Sequence, residues 1–387
     1  MYERAFFCIY GAGVVATSIY TAIKTLYRKQ PLFFLVSDAD EGKKDENPVK
    51  IDGIPVLRVS MWQEDRKTAL QQGNIAAINQ GKYLVAVPEE HHSKIRNTLY
   101  SAGIHKEDIV LVTNEIENRI MEEYYRTIQH VRFQKTVQEL LSSIPDDGKQ
   151  LDRLVEEKIQ VFQAKCHLDK RLESNIPTPE YVVPIQVGTI FADKKIAEIQ
   201  DNMGDNISAK NRNYCELTAT YYAWKHSNAA YKGLCHYRRI FAITDEQMKV
   251  LLQKETEWNV ILPYPSIHYP NISSQHMRYI NDGDWQAMLQ ALQEIAPEYR
   301  VAYEQAVLAG EQFFYNYNML IAKAEVFDDY CKFLFRVLAR TEELTIPRGW
   351  NRTDRFAGYM GENLTTIYFL KNRDRLKIMY AGKLWIT

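Results

Sequence analysis

The run Ala5-Phe6-Phe7-Cys8-Ile9-Tyr10-Gly11-Ala12-Gly13-Val14-Val15-Ala16 reads as a short apolar strand, a glycine turn and the opening of a helix. Ala16, Ile19, Ile23 and Leu26 then recur at the spacing of one buried helix face. Working outward, Leu32 to Val36 is a second strand that ends at Ser37-Asp38, and Gly53-Ile54-Pro55-Val56-Leu57 suits a short edge strand. Tyr83 to Val87 and Ile109 to Val112 are further buried strands. Strands that alternate with helices predict an α/β domain, with a parallel sheet and right-handed crossovers.

Gly11-x-Gly13-x-x-Ala16 has the context of a dinucleotide fingerprint, because glycines there let the backbone approach a pyrophosphate at a helix N-terminus. Asp38 follows the second strand, where an acid can reach a ribose. The same glycines also make the tight strand-to-helix turn of α/β domains that bind nothing, and both readings stand. The run Ile51-Asp52-Gly53-Ile54-Pro55-Val56 resembles the N-terminal domain of bacterial sugar acetyltransferases of the sialic-acid and bacillosamine pathways. That resemblance implies a Rossmann-like domain that binds a nucleotide or nucleotide sugar through Gly11, Gly13 and Asp38.

The chain has 387 residues, enough for two domains with real cores. Its formal net charge of -1 gives no global basic field for nucleic acid, so any anion site must be local. The five cysteines, Cys8, Cys166, Cys215, Cys235 and Cys331, are scattered and never form a Cys-x-x-Cys pair. That spacing argues for a reducing compartment and against structural zinc. The start, Met1-Tyr2-Glu3-Arg4, leads straight into an apolar run that reads as a strand rather than a signal h-region, and no apolar run approaches the ~20 residues of a membrane helix. The expected location is cytoplasmic, with room for peripheral contact at a membrane face.

Residues 1–118 form the expected first domain. Glu115 to Leu172 reads as helical and charged, with a break from Ser142 to Gly148, and gives a connector over 119–158. The second domain, 159–387, is expected to take Val182 to Val187 as its first strand, followed by Asn259 to Leu262 and Asn318 to Ala322. An amphipathic helix follows around Phe327 to Leu338.

The chemistry concentrates in this second domain. Gly204-Asp205-Asn206-Ile207-Ser208, with Lys210 and Asn211, is a polar loop at the mouth of a helix, and ordinary turn chemistry is its plainer account. Asn213-x-x-Glu216 resembles a capping box, and Leu217, Tyr221 and Trp224 form a stripe behind it. His236-Tyr237-Arg238-Arg239 ends a strand, and alternation would send His236 and Arg238 to one face and Tyr237 and Arg239 to the other. Paired guanidinium forks match phosphate geometry, and they equally suit structural pairing with carboxylates. Glu362, after Gly358 and Gly361, is either a first-turn acid favoured by the helix dipole or a general base.

Several motifs in order carry a second resemblance: Pro184-Ile185-Gln186-Val187-Gly188, the Gly204 to Asn211 loop, Tyr214-Cys215-Glu216-Leu217-Thr218-Ala219 and Gly233 to Arg239. Tyr317-Asn318-Met319-Leu320-Ile321 and Gly358-Tyr359-x-x-Glu362-Asn363-Leu364 extend it. Together, over about residues 160 to 387, they resemble a domain of unknown function common in capsular and exopolysaccharide gene clusters, with members assigned as galactofuranosyltransferases. Asn363 departs from the arginine expected there.

This resemblance implies a GT-A-like glycosyltransferase domain that moves galactofuranose from UDP-galactofuranose to a growing glycan, with inversion. Its acceptor would be a lipid-linked oligosaccharide at the inner membrane face. His236, Tyr237, Arg238, Arg239, Asn206, Ser208, Lys210 and Asn211 become donor-binding candidates, and Asn316 and Asn318 acceptor-binding candidates. Glu362, then Asp205, are the candidate bases. The basic tetrad stands where such enzymes usually hold a divalent ion with Asp-x-Asp, so the expectation is no required cofactor and no metal site. Of the two literal Asp-x-Asp strings, Asp282-Gly283-Asp284 reads as a helix start with Asp284 as cap, and Asp38-Ala39-Asp40 lies in the first domain. Two other classes remain in view: a nucleotide-sugar sensor without turnover, and an NAD-linked oxidoreductase or epimerase built on the Gly11 loop.

Overall fold

The structure is a computed structural model that describes residues 7–38, 48–71, 81–128, 135–143, 158–172, 176–348 and 352–386. It is α/β and divides into two compact units. One unit is Met1–Ile128 with Ser266–Asn271, and the other is Gln129–Pro265 with Ile272–Thr387. Asp40, much of the connector and the break from residue 144 onward lie outside the described residues.

Among the described residues the main sheet of the first unit has six strands: β1 (Phe7–Tyr10), β2 (Phe34–Val36), β3 (Lys50–Ile51), β4 (Ile54–Arg58), β5 (Lys82–Val85) and β6 (Ile109–Leu111). They lie in the order β3-β4-β2-β1-β5-β6. Every pairing is parallel except the β3–β4 hairpin, which turns through Asp52 and Gly53. Strand alternation splits β1 between two cores. Phe7 and Ile9 face helix α1 (Val14–Tyr27) with Ala16, Ile19 and Phe34. Cys8 and Tyr10 pack with Leu35, Trp62, Tyr83 and Leu99 on the other face.

Gly11 has a fold-level reason to be glycine. Its φ is +125°, and a Cβ there would stand 2.6 Å from the Ala86 carbonyl oxygen. Gly13 precedes α1 with φ -85°, a value any residue adopts, and a Cβ would meet nothing within 4 Å. The Asp38 carboxylate accepts the main-chain N–H and the hydroxyl of Ser60, in the first turn of α2 (Val59–Gln71). Within this unit the Ser266–Asn271 segment docks on α1: Thr17 donates to the Ile267 carbonyl at 2.7 Å, and Ser18 accepts the Ile267 N–H at 2.9 Å.

The second unit is built on a mixed sheet: β7 (Lys135–Thr136), β8 (Ile159–Lys165), β9 (Val182–Gln186), β10 (Ile199–Gln200), β11 (Tyr231–His236), β12 (Arg239–Phe241), β13 (Val260–Pro263), β14 (Leu320–Lys323), β15 (Ile378–Ala381) and β16 (Lys383–Trp385). The main path runs β10-β9-β8-β11-β14-β13-β15-β7, and β12 pairs β11 and β16. β14 is antiparallel to both its neighbours, whereas β9, β8 and β11 are mutually parallel. The sequence reading placed β9 first and treated residues through Leu172 as helical. β8 precedes β9 and sits near the centre of the sheet, and its near-continuous burial hid the period-2 signal.

Two long helices carry much of the core of this unit. The helix Ala324–Leu344 buries Phe327, Tyr330, Cys331, Leu334, Val337, Leu338 and Thr341, a stripe at i, i+3, i+4 and i+7. The helix Phe356–Asn372 is buried on most of its faces. It can approach so closely because of two glycines. A Cβ on Gly361 would stand 2.7 Å from Leu217 Cδ1, and one on Gly358 would stand 3.3 Å from Cys215 Sγ.

Candidate active site

That close approach brings Glu362 to Glu216. Sequence spacing gave Glu216 to a capping box with Asn213, and the structure dissolves that box. The helix Leu217–His226 has no side-chain cap, and Asn213 Oδ1 accepts the Ala357 N–H at 3.3 Å, at the start of a different helix. Asn213 therefore caps a remote helix, and Glu216 is free to be a site residue.

Glu216 Oε1 accepts the Asn318 side-chain amide at 2.8 Å. Glu362 Oε1 accepts the Tyr317 main-chain N–H at 2.8 Å, and its Oε2 accepts the buried Gln275 amide at 3.0 Å. Tyr317 and Asn318 have φ of 72° and 51°, so the chain takes two left-handed steps where it presents these donors. Non-glycine residues adopt such angles at a cost of ~1–3 kcal/mol each, which surrounding contacts must offset. Here Asn318 is fully buried, donates also to the Gly358 carbonyl at 3.2 Å and accepts from Thr365 at 3.3 Å.

Burial, then the charge of Glu216, pushes the Glu362 carboxyl up to about 7. Burial likewise raises Glu216, against the opposing pull of the Asn318 hydrogen bond and the Arg355 and Arg239 charges. Two coupled carboxyls, one of which titrates near neutrality, make a group that can accept or return a proton at physiological pH.

The basic tetrad is a hairpin rather than a strand end. His236 of β11 pairs directly with Arg239 of β12 across a Tyr237-Arg238 turn. Alternation is therefore broken, and His236 and Arg239 lie side by side: Arg239 Nη1 and the Arg238 N–H each lie 3.3 Å from His236 Nδ1. Burial, with Arg239 and Arg238 next, holds His236 well below the usual histidine range. It is a neutral ring whose Nδ1 accepts, which leaves the proton on Nε2. The Arg239 guanidinium is sandwiched between the rings of Trp385 at 3.7 Å and Tyr317 at 4.0 Å. Arg239 is buried, its Nε has no hydrogen-bond partner, and among the described residues no carboxylate forms an ion pair with it. Its charge is felt at both glutamates.

The topology places this cluster where α/β sheets bind ligands. From β8 the chain goes to β9 on one side, and β11 lies on the other. Ligands bind at such switch points, beyond the carboxyl ends of the strands. Those ends are Lys165 and His236. Cys166 and Asp169 follow Lys165, with the Cys166 N–H donated to Asp169 at 2.6 Å. Gln163, buried in β8, donates to the Tyr237 carbonyl at 3.1 Å, and its own side-chain oxygen has no partner among the described residues.

The polar loop belongs to the fold. Ser208 is buried and donates to Asp201 at 2.6 Å, on a carboxylate that also accepts Thr218 Oγ1 at 2.7 Å and the Gly188 N–H at 2.8 Å. Asn206 folds back on the Asn202 and Gly204 carbonyls. Asn211 donates to the Cys215 carbonyl at 2.8 Å, and Lys210 pairs with buried Glu342. Asp205 is exposed and held by Tyr221 at 3.0 Å and by Lys225 at 3.6 Å. Those partners lie on the later turns of the helix Leu217–His226, while Glu216 precedes its first, so the structure does not bring Asp205 and Glu362 together. Asn363 is buried and donates to the Tyr359 carbonyl at 2.9 Å.

The Asp-x-Asp at residues 282–284 is not available to a cation. Its helix is capped by Asn281, not by Asp284. Asp284 is buried and bidentate with Arg352, Nη1 to Oδ1 and Nη2 to Oδ2, each at 2.5 Å. Among the described residues no group of three or more His, Cys, Asp or Glu side chains is arranged to hold a metal ion. The tetrad itself brings two guanidinium groups, a neutral His236 and the Tyr237 phenol, and contains no carboxylate.

Glu216, Gln275, Arg355 and Trp385 were missed in the sequence. Glu216 was masked by a local pattern that explained it, and the others have no local signature. Arg355, itself left-handed at φ 65°, places Nε 3.3 Å from Cys215 Sγ.

No curated protein matches the chain. A solved structure described as the WbbM bifunctional glycosyltransferase in apo form is 24% identical over 59% of this chain and 45% of that one, with a TM-score of 0.48. This chain thus spans under half of that protein's length, and so remote a likeness assigns no activity. The family model described as a domain of unknown function, DUF4422, matches residues 164–373, which hold both glutamates, the tetrad and the Tyr317-Asn318 step. That match covers more than half of the 387 residues, and the chain belongs to the DUF4422 family.

Proposed function

We propose that the second unit is a glycosyltransferase that moves a sugar from a nucleoside diphosphate to a glycan hydroxyl. One observation carries the reading: buried Arg239, which has no ion pair among the described residues, stands within electrostatic reach of the Glu216–Glu362 pair, at the switch point of the sheet. Anion stabilisation and proton acceptance, the two demands of sugar transfer, meet there.

In the reaction the acceptor hydroxyl oxygen bonds to the anomeric carbon. The bond from that carbon to the diphosphate breaks, and its electron pair leaves on the diphosphate. Glu362 takes the hydroxyl proton. Arg239, with Arg238 and the Nε2–H of His236, meets the developing negative charge, a preorganised role that costs no reorganisation. Attack opposite the leaving group inverts the anomeric centre. The guanidinium groups replace the divalent ion that such transfers often use, so no cofactor is assigned.

The narrower assignments rest on the motif resemblance. They are a GT-A-like domain, UDP-galactofuranose as donor, a lipid-linked oligosaccharide of a capsular or exopolysaccharide as acceptor, and work at the cytoplasmic membrane face. Among the described residues no helix is long and apolar enough to cross a membrane. In the first unit, a nucleotide or nucleotide sugar would meet the Gly11 and Gly13 loop. The open space at Gly13, which the fold does not require to be glycine, supports that reading.

The test is UDP calorimetry on the full chain with and without EDTA, followed by UDP release from UDP-galactofuranose and other UDP-sugars. Binding retained in EDTA and release that depends on Glu362 are expected. Absence of UDP binding under both conditions sinks the transferase. Binding without turnover over the donor and acceptor panel would favour a sensor.

A further inference from the structure

Glu362 is covered by a short helix that the reaction scheme leaves without a task. The helix Ser273–Tyr279 offers Gln275 and Tyr279 at i and i+4, which is one face. The helix Phe356–Asn372 offers Tyr359 and Glu362 at i and i+3, also one face. The two faces meet in register. Gln275 donates to Glu362 at 3.0 Å, and one turn on, the Tyr279 and Tyr359 rings stack with centroids 5.0 Å apart and planes 12° apart. The covering helix is anchored from behind, where His276 stacks on Trp285 at 3.7 Å.

The pairing occupies one face of the Tyr279 ring, and the Arg278 guanidinium lies 6.0 Å from the ring centroid. Tyr279 nevertheless stays 45% exposed, although it sits within reach of the Glu362 charge. The Glu362 charge reaches both rings. Asn316, immediately before the Tyr317 that donates to Glu362, is 7% exposed, and its side-chain oxygen has no donor among the described residues. Buried polar atoms in native folds are almost always satisfied, so this one calls for a donor.

We propose that the outward face of Tyr279 is a stacking platform for a sugar ring of the acceptor, with Asn316 Oδ1 accepting an acceptor hydroxyl. The proposal rests on the transferase reading for its reaction, but the saccharide subsite stands on the geometry alone. A sugar ring has an apolar face of C–H bonds that packs on an aromatic ring, and hydroxyls at its edge that need acceptors. A ring held on Tyr279 lies one helical turn from Gln275 and Glu362, and so places a hydroxyl toward the base. The rigid Tyr279–Tyr359 stack lowers the ordering cost of that contact.

The experiment is saturation-transfer NMR on the full chain with lactose, methyl β-galactopyranoside and methyl β-galactofuranoside as probes, run beside UDP calorimetry. Saturation of ring C–H protons is expected for at least one probe. Tyr279→Ala should weaken that binding at least five-fold, Tyr279→Phe should retain it, and neither should shift UDP affinity. Asn316→Ala should weaken it without loss of the C–H saturation pattern. Saccharide binding unchanged in Tyr279→Ala, or no saturation from any probe, overturns the proposal. Tyr279-dependent saccharide binding in a chain that binds no UDP upholds the subsite and sinks the transferase. UDP binding with Tyr279-independent saccharide binding does the reverse.

Discussion

Glu216 and Glu362 hang from consecutive residues of one left-handed step, Glu362 from the Tyr317 N–H and Glu216 from the Asn318 side chain, each at 2.8 Å. Tyr317 also covers one face of Arg239 at 4.0 Å. A single strained dipeptide thus sets both acids and the buried cation, and the predictions follow from that shared support.

Glu362→Gln keeps the shape of the side chain and removes its proton chemistry. Turnover should fall ~10²–10⁴-fold, the usual share of a general base, with UDP affinity little changed. Stopped or continuous UDP-release assays check this, and near-normal turnover would remove Glu362 from the mechanism.

The pH dependence has a defined sign. Burial and the Glu216 charge push the Glu362 carboxyl up to about 7 in the folded chain from an ordinary value of 4.5, so the folded chain binds more protons between those values. Its contribution to stability therefore falls as pH rises from about 4.5 to 7, and the loss is complete above that. Glu362→Gln should raise the midpoint of urea unfolding at pH 8 relative to the parent, and much less at pH 4. Activity should rise through the same region as the base ionises. Glu216→Gln removes a neighbouring charge and should move the ascending limb of the rate profile to lower pH. A limb that stays put in Glu216→Gln would show that the two acids are not coupled.

Arg239→Lys should not be conservative. A guanidinium fills the flat slot between Tyr317 and Trp385, and an ammonium cannot stack there or present a fork to a diphosphate. A loss of UDP affinity of ~10-fold or more is expected in calorimetry, for Arg239→Lys as for Arg239→Gln. Full affinity in the lysine variant would assign Arg239 a purely structural task.

Ser208 offers a contrast. Its hydroxyl serves Asp201, so Ser208→Ala should cost about 1–3 kcal/mol of stability by leaving a buried carboxylate short of a donor. UDP affinity should not change. A large affinity loss without destabilisation would return this loop to the donor site.

Arg352→Ala strands the buried Asp284 carboxylate. Removing one partner of such a pair typically costs about 3–5 kcal/mol, and denaturant titration should show a loss of that order. Loss of activity without loss of stability would point to a cation role for Asp284 instead.

The α/β character was legible in residues 5–36, because strand and helix periods and a glycine turn are local properties. The sequence also marks the glycine-bearing segment around Glu362 as helical, but reads Glu362 as a first-turn acid, whereas its helix begins at Phe356 and Glu362 is the seventh residue. The pairing of Glu216 with Glu362, the burial of Arg239 between two rings and the capping of a remote helix by Asn213 were not legible. Each depends on which segments the sheet and the glycine-lined helix bring together. Local pattern even misdirected at Asn213 and Asp284, since a short-range cap and a long-range partner use the same residue types. Sequence alone set the elements and the chemistry available to them. Tertiary structure decided which two carboxylates feel one another and which cation is buried within reach of both, because burial and Coulomb coupling act through space, not along the chain.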